Sequence, residues 1–450
     1  MSSLHSNAPP HSLEKTLKII EKAFGGRAFQ DIFEEFQTKP LGVGAIAQVY
    51  KAKLKPDLVV PGNVDISPTE PTLTETLRQK VDYALKSSPA RAPPPSSYVA
   101  VKVLHPGVDR TVQRDLRIMA FFAQLLNAIP SIHWLSLPDE VATFGEMMKL
   151  QLDLRIEAAN LARFRRNFAT RTTAWFPFAY AEYSSRSVLV EEFANGVPLE
   201  DFLQNGGGPF EKEIADEGLD AFLHMLLIDN FTHADLHPGN IMVRFYRPPK
   251  RLDVPSLLHS PQRRYPKAAR AKSLDTAIDG DDGDNEDGHD ATDEVLARLK
   301  PLRRQRGPWA EELQRLHAEG FQPQLIFIDT GLVTELNAEN RRNFLELFKA
   351  VAEFDGYKAG QLMVERCRQP DAVLDREVFA LRMQHLVLGV KSKTFALGNI
   401  KIGDILNEVL NMVRTHHVRL EGDFVNVVLS ILLLEGIGRS LDPEMDLFAG

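Results

Sequence analysis

The chain has 450 residues, 44% apolar and 25% charged, with a formal net charge of −8, a length that exceeds the usual single core and suits two lobes, and a composition that is globular and soluble. Its single cysteine, Cys367, excludes an internal disulfide and implies a reducing compartment. Nine acids fall in 279–294, and without that stretch the net charge is +1, which argues against nucleic acid as the main partner.

Residues 1–39 read as an N-terminal helical segment. The opening "MSSLHSNAPPHSLEK" has neither an apolar core of signal-peptide type nor an Arg-rich amphipathic helix. At 40–54, "PLGVGAIAQVYKAKL" spaces Gly42, Gly44, Ala47 and Val49 as a glycine-rich turn leading into a strand. Glycines suit a turn whose backbone N–H groups approach phosphate oxygens, although an ordinary hairpin reads the same way. An insertion with "RAPPPSS" spans about 55–97, and "SYVAVKVLHPG" follows as a Val-rich strand with Lys102 inside it. The run 118–130 is interrupted by Gln124, Asn127 and Pro130 and does not read as a membrane span.

Residues 140–168 carry Val141, Phe144, Met148, Leu152, Ile156 and Phe164 at helical spacing, predicting one long helix. On it Asp153 and Glu157 share a face, and their mutual repulsion would be relieved by a cation between them. "VLVEEFANG" (188–196) reads as a strand, and "EKEIADEGLDAFLHMLLIDNF" (211–231) as a helix leading into the densest polar motif of the chain.

That motif is "THADLHPGNIMVRF" (232–245), with His233, Asp235, His237 and Asn240 in eight residues. A zinc helix would use His233 and His237 at i and i+4, but Pro238 and Gly239 end a helix there. A polar turn capping a helix is the bland alternative. The third reading is a phosphoryl-transfer loop, in which an Asp precedes an Asn by five residues, as Asp235 precedes Asn240.

Between this motif and "PQLIFIDTGLVTEL" (323–336) lies a second insertion, about 246–322, Pro-rich and basic in its first half, acidic in its second, and matching no EF-hand register. It reads as a disordered surface segment leaving a hairpin between "IMVRF" and "LIFID", and as removable without loss of folding. The second strand ends at Asp329-Thr330-Gly331, where a carboxylate leaving a buried strand needs a metal or a charged partner. Asn337 can cap the next helix, further helical segments follow, and 424–438 is apolar but too short to span a bilayer.

Taken in order, "GVGAIAQVY", "VAVKVLHPGV", "LDLRIEAANLARF", "HADLHPGNIMV" and "FIDTGLV" resemble the UbiB/aarF-domain atypical kinases, and most nearly the mitochondrial aarF-domain-containing kinase-two subgroup. The resemblance implies an α+β bilobal protein-kinase-like fold, with a small sheet-plus-helix lobe over 40–195 and a larger, mainly helical lobe over 196–450. It implies that Lys102 contacts ATP phosphates, that Glu157 pairs with Lys102, that Asp235 is the catalytic-loop acid, and that Asn240 and Asp329 hold Mg²⁺. Gly42, Gly44, Ala47 and Val49 would cover the nucleotide, and 188–196 would run into the hinge.

By the same resemblance the protein is a mitochondrial Mg-ATP-dependent kinase or ATPase supporting coenzyme Q (ubiquinone) biosynthesis or lipid metabolism. Prenylated quinone precursors, lipids, coenzyme Q biosynthesis proteins and a peripheral membrane contact are its implied partners. A nucleotide-binding pseudokinase scaffold and an aminoglycoside phosphotransferase-type enzyme remain as alternatives. The chain departs from the family pattern in lacking a K-x-G-Q element before Pro40, in carrying Gln151 where an E-x-D motif has its first Glu, in a Gly-rich rather than Ala-rich loop, and in Thr330 where kinases have Phe. The missing element and missing presequence together suggest an N-terminally incomplete chain.

Overall fold

The structure is a computed structural model that describes residues 10–59, 97–129, 135–169, 171, 173–247, 292–395 and 402–420. Most of the first insertion, the acidic run as far as 291 and the apolar segment 424–438 lie outside the described residues.

The small lobe is built on a five-stranded sheet. Its strands are β1 (Phe33–Phe36), β2 (Gly42–Val43), β3 (Ala47–Leu54) and β4 (Tyr98–Leu104), with Val188–Glu192 at the far edge. Along β4 the side chains alternate. Val99, Val101 and Val103 join Ala52, Leu54, Val188 and Val190 in one buried cluster, which leaves Ala100 and Lys102 on the opposite face. Helix α1 (Leu13–Ala23) seals that cluster with Ile20.

The sheet begins earlier than expected. Strand β1 lies ahead of residue 40 and pairs antiparallel with β3, Phe36 opposite Ala52, while the rings of Phe29, Phe33 and Phe36 meet one another at tilted and edge-on angles. Residues 10–39 are therefore a helix plus a strand of the small-lobe sheet rather than a separate helical segment.

After α2 (Val108–Asn127), the single helix expected over 140–168 is two, α3 (Leu137–Gln151) and α4 (Leu154–Asn167). The break has a local cause. Asp153 sits at φ −128° and ψ 95° as the N-cap of α4, and its carboxylate accepts from the Arg155 N–H at 3.2 Å. Asp153 is thus spent on capping and on an ion pair with Arg155 at 2.5 Å, and shares no cation with Glu157.

The chain then forms β5 (Ala174–Trp175) and β6 (Val188–Glu192), which pairs with β4, before entering the large lobe through β7 (Val197–Pro198), α5 (Leu199–Asn205) and α6 (Glu211–Leu223). Strand β8 (Thr232–His233) opens the polar motif. The expected hairpin is present as β9 (Ile241–Tyr246) and β10 (Gln322–Phe327), antiparallel from Ile241↔Phe327 to Tyr246↔Gln322. A short strand β11 (Val333–Thr334) pairs back onto β8.

The described end of the second insertion, from Thr292 onward, is not a surface segment. Residues 292–318 form α7 (Thr292–Leu299) and α8 (Arg306–Ala318), and Val295, Leu299, Trp309, Leu313 and Leu316 are each fully buried in the large-lobe core. The Trp309 ring meets Phe202 edge-on at 5.5 Å, and its indole N–H donates to the Gly206 carbonyl at 2.8 Å. Arg298 binds Glu312 at 2.6 Å and Glu319 at 2.7 Å, tying α7 to α8. The expectation that this stretch can be excised is overturned, because these helices supply apolar surface the core cannot do without.

Four more helices, α9 (Ala338–Ala352), α10 (Gly356–Glu365), α11 (Arg376–Phe395) and α12 (Ile402–Thr415), build a cluster of their own around Phe379, Met383 and Met412. Asn337 caps α9 as expected, its side-chain oxygen accepting from the Asn340 N–H at 2.7 Å.

Candidate active site between the lobes

Three charged side chains from distant parts of the chain converge below the small-lobe sheet. Lys102 Nζ donates to both Glu157 oxygens, at 3.0 and 2.9 Å, and to Asp329 Oδ1 at 2.7 Å. The Lys102 side chain is 12% exposed and that of Glu157 4%, so this ion pair is desolvated, whereas Asp329 keeps 46% of its side chain open. Burial works against the Lys102 ammonium, but the Glu157 and Asp329 carboxylates outweigh it and hold its pKa above the ordinary lysine value. The same ammonium pulls Asp329 down to about 2, against the effect of burial.

Each member is placed by its element. Lys102 points off the cleft face of β4, and Glu157 lies in the first turn of α4, which Asp153 starts. Asp329 follows β10 with φ +58°, a left-handed conformation rare for a residue with a side chain. Its loop is fixed from both sides. Asn160 of the "EAAN" block donates to the Thr330 carbonyl at 2.8 Å, and the Thr330 hydroxyl donates to the Glu157 carbonyl at 3.4 Å. Thr330, where kinases have Phe, is fully buried and joins the two acid-bearing segments through a polar contact. Strain at an acid held by its neighbours is a common mark of functional sites.

The polar motif lies on the large-lobe side of this cluster. His233 is buried; its Nε2–H donates to the Ile328 carbonyl at 3.1 Å, and its Nδ1 accepts from the Asp235 N–H at 3.3 Å, which selects one neutral tautomer. Burial lowers its pKa accordingly. His237 Nδ1 accepts from the Gly239 N–H at 3.1 Å. The imidazoles therefore hold backbone, and among the described residues no group of three or more His, Cys, Asp or Glu side chains could hold a metal ion.

Asn240 is buried and its amide N–H donates to the Asp235 carbonyl at 2.9 Å, bracing a loop whose Asp235 side chain is exposed. Asn240 O also accepts from the Ile328 N–H at 3.0 Å, so Asn240 and Asp329 stand at adjacent ends of paired strands. The bond to Asp235 uses the amide N–H of Asn240 and not its side-chain oxygen. That oxygen and the half-open Asp329 carboxylate are hard donors of the kind that suit Mg²⁺, which takes few protein oxygens and completes its shell with phosphates and water.

The glycine-rich loop is the turn between β2 and β3, and its backbone differs from expectation. Gly42 pairs with Val49 in the β2–β3 hairpin, the Gly44 N–H is spent on the Ala47 carbonyl at 2.8 Å, and neither glycine has positive φ. A Cβ on Gly42 would meet nothing within 4 Å, so the loop offers space rather than a special backbone. His105 holds the loop instead. Its Nε2–H donates to the Gly44 carbonyl at 3.0 Å, and its Nδ1 lies 2.8 Å from that of His11, which burial and His105 push down to about 4. His11 and His105 were not singled out from sequence, since a His beyond a strand end carries no periodic signal.

Glu191 was also missed as an individual residue. It lies on β6 opposite Ala100, on the sheet face that carries Lys102, and one carboxyl oxygen is buried without a hydrogen-bond partner among the described residues. Its neighbour Glu192 accepts from the Phe178 N–H at 3.2 Å and lies 3.8 Å from Arg165. Burial, then the nearby Glu157 carboxylate, push Glu191 up to about 8. In the folded protein Glu191 retains its proton at pH values where the unfolded chain has lost it, so its contribution to stability is present below the ordinary value of 4.5 and is lost as pH rises to about 8. The melting temperature of ligand-free protein should carry a falling component across that range, and Glu191→Gln should flatten it. An identical pH profile in the variant would show that Glu191 ionises as freely as it does in the unfolded chain.

Comparison with known proteins gives the chain a family. The chain matches the ABC1 atypical kinase-like domain over residues 3–79 and 90–259 and the UbiB helical domain over 392–446. It is 40% identical to a mitochondrial ABC1 family protein of Schizosaccharomyces pombe, with 100% of this chain and 59% of that protein covered. It is also 40% identical to a mitochondrial ABC1 family protein of Saccharomyces cerevisiae, with 100% and 61% covered. A probable serine/threonine-protein kinase of Dictyostelium discoideum is 29% identical, with 99% and 58% covered. The chain thus spans about 60% of the length of these relatives. The two yeast proteins are named as mitochondrial, the compartment expected for this chain, and among the described residues no helix is long and apolar enough to cross a membrane. With more than half of its length matched to one domain and its C-terminal region to the other, the chain belongs to the ABC1/UbiB family of atypical kinase-like proteins.

Proposed function

We propose that the cleft binds Mg-ATP and that the protein is a phosphotransferase or ATPase. The observation that carries this reading is the convergence of Lys102, Glu157 and Asp329 at 2.7–3.0 Å, from positions 55 and 227 residues apart, beside a braced loop that exposes Asp235. Phosphoryl transfer asks a protein mainly for positioning and electrostatic stabilisation. Lys102 would contact the phosphate oxygens, Glu157 would hold Lys102 in place, and the loop carrying Gly42, Gly44, Ala47 and Val49 would cover the nucleotide. Asn240 and Asp329 would hold Mg²⁺, which when bound neutralises charge developing on the phosphates. Asp235 would orient the acceptor hydroxyl or water and take its proton as the new oxygen–phosphorus bond forms and the bond to ADP breaks.

The family and its mitochondrial relatives support a role in coenzyme Q biosynthesis or mitochondrial lipid metabolism, with prenylated quinone precursors, lipids or coenzyme Q biosynthesis proteins as partners. Exposed Ile118, Phe121, Phe122 and Leu125 along α2 support a peripheral membrane contact.

Mg-ATP should raise the melting temperature of the wild type, since a ligand that binds only the native state stabilises it by RT ln(1 + [L]/Kd). Asp329→Asn should abolish most of that rise and Lys102→Ala should reduce it. An unchanged shift in Asp329→Asn would remove Asp329 from the nucleotide site.

A further inference from the structure

The chain crosses from the small lobe to the large one between β6 and β7, and the lobes meet again at an ionic contact to which the proposed chemistry gives no task. Glu140, in the first turn of α3, accepts from Arg419 Nη2–H at 2.8 Å across 279 residues of chain, and from Arg368 Nη1–H at 3.3 Å. Asp139 beside it lies 3.8 Å from Arg419. The Arg419 side chain is 9% exposed and that of Glu140 51%. The cation is therefore set into the large lobe, and the acid reaches it from the small one.

Both partners are firmly presented. On the large-lobe side the chain leaves α12, turns at His417 with φ +55°, and buries Val418 in the cluster of Phe379, Met383 and Met412. The Arg368 N–H donates to the Arg419 carbonyl at 2.8 Å and the Leu374 N–H to the His416 carbonyl at 2.9 Å, which stitches this turn down. On the small-lobe side α3 packs closely on α2, where a Cβ on Gly145 would meet Leu116 at 3.5 Å. From Glu140 the helix runs ~16 Å to Gln151, and the buried Leu152 then leads into Asp153 and α4.

The contact can also let go. Asp139 and Glu140 lie at the positive end of the α3 dipole, so they remain well placed when the arginines withdraw. Arg419, nearly out of water while the contact holds, regains its hydration only when the two sides part. The other pair between the lobes, Arg163 with Glu335 at 2.7 Å, is different in kind: Arg163 also covers the Phe231 ring at 4.0 Å and so belongs to the frame of the polar motif.

We propose that Glu140 and Arg419 form a clasp between the lobes, and that its opening gates the entry and exit of nucleotide. The inference rests on the cleft being a nucleotide site and adds what controls access to it. While the contact holds, the lobes are tied at α3 as well as at the β6–β7 crossing, and a ligand lying between them exchanges only when they part. Neither residue touches Lys102, Glu157 or Asp329. Loss of the clasp therefore changes the rates of binding and release together and leaves the affinity alone.

The test is a rapid-mixing measurement of the entry and chase-out of a fluorescent ADP, with Mg²⁺, on the full chain. Glu140→Gln should speed both steps by about fivefold, the range of one partly exposed ion pair, with Kd nearly unchanged. Added salt should speed release from the wild type and do little in the variant. Arg419→Glu alone should also be fast, and combining it with Glu140→Arg should bring the rates back toward wild type, which a merely structural loss at either position would not do. Wild-type rates in Glu140→Gln, or a charge swap that fails to slow the fast single variants, overturns the clasp while leaving the nucleotide site standing. Faster release with a matching loss of affinity also overturns it, because the site itself has then loosened through α4. Failure of the wild type to bind the fluorescent ADP removes the nucleotide site, and the inference with it.

Discussion

Trp309→Ala should lower the stability of the protein by about 3–5 kcal/mol, the usual cost of emptying a large aromatic site in a packed core. The ring is fully buried, packs edge-on against Phe202, and anchors α8 to the loop after α5 through the Gly206 carbonyl. Truncation leaves both a cavity and an orphaned carbonyl, and neighbours held by α7 and the β9–β10 hairpin cannot collapse into the space. Trp309→Phe, which keeps the ring but loses the N–H, should cost less, with about 1 kcal/mol of the loss from the hydrogen bond. Chemical denaturation with intrinsic fluorescence and circular dichroism measures both. An Ala variant as stable as the wild type would mean that α7 and α8 do not belong to the core. By the same reasoning, excising 250–318 should yield no soluble protein, because Val295, Leu299, Trp309, Leu313 and Leu316 leave together.

That stretch shows where sequence reading stops. Val295 and Leu299 are four apart, and Trp309, Leu313 and Leu316 follow at four and three, so the helical pattern was present. It was hidden by Pro301, Pro308 and the acidic run before it, which mark loops when they stand alone. The single helix predicted across 140–168 failed for a related reason. Its apolar spacing runs on in the sequence across the two-residue break at Leu152 and Asp153, so the periodicity does not show where one helix ends and the next begins.

The chemistry was more legible than the architecture. Lys102, Glu157 and Asp329 are brought together as the motifs implied, since each motif joins a charged residue to a strand or helix whose burial pattern fixes its direction. Asp235 and Asn240 share one braced loop as their spacing required. His11 and His105 act through contacts across the fold and Glu191 through its burial, and single residues of that kind leave no periodic trace. The boundary at 40 was misplaced because β1 has only four residues, too few for alternation to declare a strand.

Asp235→Asn should reduce turnover by a factor on the order of a hundred or more, within the range of general acid–base contributions, and leave Mg-ATP affinity nearly unchanged. The reason lies in what Asp235 touches. Its side chain is exposed, its backbone carbonyl is held by Asn240 and its backbone N–H by His233, so the loop keeps its shape whether or not the side chain is charged. Asn preserves the size and one acceptor oxygen but cannot take a proton, so the loss falls on the transition state rather than on ground-state binding. A variant that loses turnover and nucleotide affinity together would instead point to Asp235 as a support for the phosphate site.

The most direct measurement is Mg²⁺-dependent ADP release by purified protein, with and without prenylated phenols or lipid extract, run for the wild type beside Asp235→Asn at saturating ATP. The assembled site of Lys102, Glu157, Asp235, Asn240 and Asp329 predicts release above a buffer blank in the wild type, abolished by chelating Mg²⁺ and reduced at least about a hundredfold in the variant. Nucleotide binding without release above the blank, or equal release by wild type and variant, would contradict it and leave a nucleotide-binding scaffold.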